Sequence, residues 1–217
     1  MSMDLLEDRG GERDYALERL IMLSDGVFAI AITLLALELR PPEGWDHSLS
    51  GLWQGMWRPA LAFLVSFLVI SAYWISHRRM FGRFGSADLP LTILNLIQLG
   101  LITLVPVVTN LVWEGGPRGG GFVVYLALFT LLGFLNALLW GYPALLKPAL
   151  FRVAPSKPAR LGAFAVLLIL PLVTPVFGLI GLGYAPTWLV IPAVVVVVVI
   201  RTMKARAHRA LAGGSSQ

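Results

Sequence analysis

Six runs of mostly apolar residues divide the chain, at Leu17–Leu39, Pro59–His77, Pro90–Trp113, Phe122–Leu146, Leu161–Leu182 and Tyr184–Ile200. A helix needs about 20 such residues to cross the hydrocarbon layer, where its backbone must satisfy its own hydrogen bonds. The runs are apolar all round, whereas strands of an outer-membrane barrel alternate apolar and polar residues. The pattern predicts an all-α integral membrane protein with six transmembrane helices. Turn residues punctuate it: Pro41-Pro42, Gly115-Gly116-Pro117, Gly119-Gly120-Gly121, and Pro155 with Pro158. The fifth run contains Pro171 and Pro175, which mark either a hinge or a packing kink. The sixth contains the valine run Val194–Val199, which reads as a lipid-facing helix.

Charge adds orientation. Of the 17 Lys and Arg residues, fourteen fall in the N-terminal segment, the second and fourth connections and the C-terminal tail. The remaining three, Arg40, Arg58 and Arg118, fall on the other side. The positive-inside rule then places both termini in the cytoplasm of a multi-pass protein of the cell membrane. It divides the chain into a cytoplasmic segment 1–16, a membrane domain 17–203 and a basic tail 204–217. The first twenty residues carry acids and arginines rather than a basic start and a short apolar core, so the first run is expected to stay as a span.

Composition narrows the chemistry. Only 13% of residues are charged and 57% are hydrophobic, with a mean hydropathy of +0.78; soluble domains carry about 25% charged residues. The net charge of +5 sits in short loops between apolar runs, which points to topology and not to nucleic acid. There is no cysteine, so no disulfide, thiolate site or cysteine nucleophile. His47, His77 and His208 lack metal-ligand spacing, and no metal or other cofactor is expected.

The first run carries the unusual residues. Asp25 lies about two turns from its cytoplasmic end, where a charge is costly and needs a partner or water. At about 100° per residue, Ile30, Leu23, Leu34, Leu37 and Thr33 share one stripe roughly 100° wide, while Ser24 and Asp25 lie off it. Such a stripe lines either a pore or a helix–helix contact. At matching depth the second run offers Trp74 and His77, three apart and on one face, both able to donate hydrogen bonds. Asn95 and Gln98 add amide groups early in the third.

Arg19…Leu23-Ser24-Asp25, followed by Gly-Val-Phe-Ala-Ile-Ala-Ile-Thr, resembles the RxxxFSD signature opening the first helix of the transmembrane protein 175 family of potassium channels. Ser66, Phe67, Trp74 and His77 are similar to its second-helix pattern, and Asn95 and Pro106 to its third. Leu23 departs from the family's phenylalanine. The resemblance covers the first three runs; the last three match by length and hydropathy alone.

The resemblance implies a homotetramer of six-helix chains whose four first helices line a central pore, with K⁺ the permeant ion. It also implies a filter without the TVGYG loop, which this chain lacks. Ile30 would form the narrowest layer, Thr33 the polar layer tied to selectivity, and Leu34 and Leu37 the continuing pore wall. Arg19, Ser24, Asp25, Trp74, His77 and Asn95 would hold the helices together. Glu38 would either concentrate cations at the mouth or be a solvated interface charge.

Three rivals remain at this stage. A secondary transporter would use Asp25 as its ion or proton site and the proline-containing fifth run as a moving element. An intramembrane enzyme would need paired catalytic groups, and beyond Glu18, Asp25 and Glu38, all in the first run, the six runs contain no acid that could supply one. A non-conducting scaffold would need neither.

Overall fold

The computed structural model describes residues 2–37, 39–41, 44–115 and 120–181. Within them the chain forms six α-helices: α1 (Ser2–Leu37), α2 (Leu49–Phe81), α3 (Leu89–Thr103), α4 (Val105–Gly115), α5 (Gly120–Leu145) and α6 (Lys157–Gly181). A short 3₁₀ turn covers Pro148–Leu150. Helices α3 and α4 run on as one span, so five candidate spans appear among the described residues. The expected sixth, Tyr184–Ile200, and the tail 204–217 lie outside the described residues.

Two spans differ from the pattern-based expectation. The second begins at Leu49 and passes through Pro59 without ending, because a proline removes only its own amide from the ladder and tertiary packing can carry a helix past it. Its start is set by Ser48, whose hydroxyl accepts from the Gly51 amide at 2.9 Å. The Ser48 hydroxyl and amide both donate to Asp46, holding that exposed carboxyl below its usual range. The third span is broken at Leu104. Pro106 has no amide to offer the Ile102 carbonyl, and the Leu104 amide instead closes a tighter turn onto Leu101 at 3.2 Å.

Packing runs in two layers of contact. One buried cluster joins Phe28, Ala31 and Leu35 of α1 to Ile70 and Tyr73 of α2, Ile102 of α3 and Leu132 of α5. A second, toward the α2–α3 connection, joins Leu17 and Leu20 to Phe81, Phe84, Leu91, Trp140 and Phe151. There the 81–88 and 146–156 connections pair through a bridge between Phe84 and Phe151, with Gly85 donating to Leu150 and Arg152 donating to Arg83. Asp88 serves two ends at once. One carboxylate oxygen accepts from the Leu91 amide at 3.2 Å to cap α3, and the other accepts from the Tyr142 hydroxyl of α5 at 2.6 Å.

Helices α5 and α6 meet along an antiparallel seam. Gly141 faces the Phe164 ring, Gly133 faces Pro171, and Gly178 faces Leu126, each approach close enough that a side-chain carbon would crowd its neighbour. Small residues let membrane helices approach closely, which replaces the hydrophobic drive that lipid removes. Pro171 is thus a buried packing residue within a continuous α6.

Candidate functional site

Helix α1 has two unlike edges. Leu17, Leu20, Ser24, Phe28, Ala31 and Leu35 are buried against the rest of the chain. Their spacing of three and four residues is that of one helical face. The opposite arc is left without partners among the described residues: Leu23, Ile30, Leu34 and Leu37 are 48%, 58%, 40% and 64% exposed. Thr33 is exposed beside them, and its hydroxyl donates to the Ile30 carbonyl at 2.9 Å. The stripe is therefore not a contact with any other described helix of its own chain. Glu38 lies outside the described residues.

The buried edge is locked by a directional chain of hydrogen bonds. The Ser24 hydroxyl donates to the Leu20 carbonyl at 2.7 Å. With its proton committed, Ser24 accepts from the Asn95 amide nitrogen at 3.0 Å. That orients Asn95 so that its carbonyl oxygen faces His77 Nε2 at 2.8 Å, and a carbonyl can only accept. His77 Nε2 is therefore the donor, and its tautomer follows from a backbone carbonyl three hydrogen bonds away. Ser24, His77 and Asn95 are all buried, so each bond is made where water cannot replace it. The His77 ring is stacked on Phe81 at 4.0 Å and tilted against Phe28 at 5.6 Å.

Asp25 sits at the exposed border of this face, and the Trp74 indole donates to its carboxylate at 2.8 Å. The guanidinium of Arg78 lies over the Trp74 ring at 5.6 Å. Sequence reasoning had joined Asp25, Trp74 and His77 in one group. The structure divides them, Trp74 going to Asp25 and His77 to Asn95 and Ser24. Arg19 joins neither set within the chain; it is exposed, with its guanidinium over the Tyr15 ring at 5.8 Å. Gln98 is fully buried, and neither of its amide atoms has a partner.

Several polar ties had no clear sequence signal. Ser66 of α2 pairs with Thr109 of α4 at 2.9 Å, and Asn136 of α5 donates to Ser76 of α2 at 3.3 Å. Each pairs residues dozens of positions apart, and lone hydroxyls in apolar runs are common. Asp88 before Leu89-Pro90 was the one legible signal, since an acid ahead of a proline-started helix is a capping pattern.

These features define an all-helical, multi-pass membrane protein whose first helix is fastened along one edge and open along the other. Residues 19–106 match the family described as endosomal/lysosomal potassium channel TMEM175. Over this segment, less than half of its length, the chain is similar to the transmembrane protein 175 family. It is 39% identical over 99 residues to a potassium channel of Streptomyces collinus, covering 44% of this chain and 47% of that one. It is 36% identical over 136 residues to a potassium channel of Chamaesiphon minutus, covering 58% and 65%. Against the human endosomal/lysosomal proton channel TMEM175 it is 27% identical over 157 residues, covering 68% and 31%. The matches thus span about half to two thirds of the bacterial relatives' length. Among solved structures, the lysosomal potassium-selective channel TMEM175 homolog from Chamaesiphon minutus superposes with a TM-score of 0.55 at 29% identity, over 77% of this chain and 95% of that one.

Proposed function

We propose that this protein is a potassium-selective channel of the cell membrane, a homotetramer of six-span chains with both termini in the cytoplasm. Segment 1–16 and the tail 204–217 flank the membrane domain 17–203. Four copies of α1 turn the Leu23–Leu37 stripe inward around a common axis, with Ile30 as the constriction. The observation that carries this reading is the asymmetry of α1. One edge is held by buried hydrogen bonds, which sets the rotation of the helix, and the edge so presented finds no partner among the described residues. The names of the bacterial relatives supply the ion.

A ring of four Ile30 side chains offers no ligand, so an ion passes only by squeezing or shedding its water. Apolar rings of this kind gate by dewetting. K⁺ binds its water less tightly than Na⁺, so the ring penalises Na⁺ more. Thr33 lies next along the stripe. Because its hydroxyl proton is directed to the Ile30 carbonyl, its oxygen is left as an acceptor toward the axis, the right polarity for a cation. Leu34 and Leu37 extend the apolar wall, and Glu38, the next residue in sequence, would draw cations to the mouth. Arg19, exposed and touching only the Tyr15 ring among the described residues, would fasten neighbouring subunits.

The transporter alternative needs Asp25 free to exchange an ion. A carboxylate already held by the Trp74 indole at 2.8 Å suits a fastener better. Reconstitution in liposomes with a K⁺ gradient, alongside the mass of the solubilised oligomer, tests the proposal. Unitary K⁺ currents from a tetramer are expected. Saturating flux without unitary currents would favour the transporter, and a monomer would leave the stripe without a pore to line.

A further inference from the structure

A cavity of about 690 Å³ opens between α2, α4 and α5, away from the stripe of α1. Its size falls in the range of about 300–1,000 Å³ that small-molecule sites occupy. Trp57, Leu61 and Val65 form one wall, spaced by four residues along one face of α2; Val112, Phe122 and Tyr125 face them from α4 and α5. None of the lining residues comes from α1. The cavity is therefore separate from the proposed ion path.

Its floor is polar in composition but apolar in effect. Thr109 donates to the Val105 carbonyl at 2.7 Å, so Ser66 is the donor in the 2.9 Å pair between the two hydroxyls. Both protons are committed, and both residues are buried. The Tyr125 hydroxyl hydrogen-bonds with Ser66 in the same lining, so the floor's polar groups are tied to one another, and where such a groove meets the bilayer it takes hydrocarbon.

The mouth carries a cation. Arg58 borders the cavity, exposed, with its guanidinium over the Trp57 ring at 5.1 Å. Among the described residues it makes no ion pair. It stands nineteen positions before His77, or about 28 Å along the axis of α2. Arg58 and Trp57 thus lie at the membrane face opposite Arg78 and Arg79, where aromatic and basic residues meet lipid headgroups. An apolar slot with one free guanidinium at headgroup level matches one ligand chemistry: an acyl chain joined to an anionic head.

We propose that the α2–α4–α5 groove is a binding site for a phospholipid with an anionic headgroup, its phosphate on Arg58 and one acyl chain between Leu61, Val65 and Tyr125. Native mass spectrometry of the purified full-length protein, titrated with dioleoyl phosphatidylglycerol or dioleoyl phosphatidylcholine, tests it. Phosphatidylglycerol adducts should exceed phosphatidylcholine adducts about fivefold, the preference one basic side chain confers near the surface. Arg58→Gln should remove that preference while leaving weaker, headgroup-independent binding. Val65→Trp, which fills the slot, should reduce adducts of both lipids, and the oligomer mass in the same spectra reports whether each variant is assembled. Equal binding of the two lipids by the unmodified protein overturns the proposal. So does a preference that survives Arg58→Gln but is lost with Arg78→Gln and Arg79→Gln. Disulfide formation between cysteines placed at Leu61 and Val112 of different chains also overturns it, since the groove would then be covered by a second copy.

Discussion

Helix α1 and the α5–α6 hairpin solve the same physical problem in different ways. In lipid no hydrophobic drive pulls helices together, so association depends on hydrogen bonds or on close packing. Helix α1 uses hydrogen bonds: Ser24 to Asn95, Asn95 to His77, and Asp25 to Trp74. Helices α5 and α6 use shape, with Gly133, Gly141 and Gly178 each receiving a bulky residue from the other helix. Directional bonds at one level of a helix set its rotation about its own axis, which leaves the opposite edge available to something outside the chain. A seam of glycine notches instead brings two apolar helices close along their whole length. The segment matched by the family, residues 19–106, contains the polar keys and none of the seam.

The largest effect should come from breaking the polar key. Asn95→Ala would orphan the buried His77 N–H and remove the donor to Ser24. That should cost about 3 kcal/mol, read as a lowered melting temperature and loss of the assembled oligomer; an unchanged melt would mean the key does not hold α1. Filling the seam comes next. Gly141→Leu forces a side chain into the Phe164 ring and should destabilise by about 2 kcal/mol. Ion selectivity of the surviving protein, measured as reversal potential, should stay as it was, and a shift would tie the hairpin to the pore.

Changes on the open edge should leave stability alone. In the proposed tetramer Ile30→Asn replaces an apolar ring with amides and should raise K⁺ flux about tenfold, equivalent to about 1.4 kcal/mol of barrier, while weakening discrimination against Na⁺. Bilayer currents indistinguishable from those of the unmodified protein would remove Ile30 as the constriction. The smallest effect is expected for Thr33→Val, which keeps the volume and deletes the oxygen. Reversal potentials should show selectivity reduced about twofold, below about 0.5 kcal/mol, and a sharper loss would move the selective layer from Ile30 to Thr33.

Much of this was legible in the chain itself. The first, fourth and fifth apolar runs coincide with helices to within a few residues, apart from the helical extension of α1 back to Ser2. The helical spacing of Ile30, Thr33, Leu34 and Leu37 placed them on one side of α1, and the structure leaves that side without a partner among the described residues. The partners of Asp25 and His77 were only half legible. Depth along a helix follows from residue number, so Trp74 and His77 were both in reach of Asp25. Which of the two meets it depends on the rotation and crossing of α1 against α2, which no local pattern encodes. The ten extra residues of α2 were missed because Pro59 looks like a first-turn proline, whereas the capping residue is Ser48. The pairing of Gly141 with Phe164, like that of Ser66 with Thr109, has no sequence mark, because a small residue in an apolar run says nothing about what will fill the space.

By itself the sequence determined the solvent of this protein, the number of apolar segments and the rotational phase of residues on each helix. Those properties follow from hydropathy and from a fixed helical repeat, which act locally. Only the tertiary structure decided which edge of α1 is buried, which way the Ser24–Asn95–His77 bonds run, and where α2, α4 and α5 leave a groove. These depend on how helices distant in sequence approach one another, through distances and angles that hydropathy does not encode.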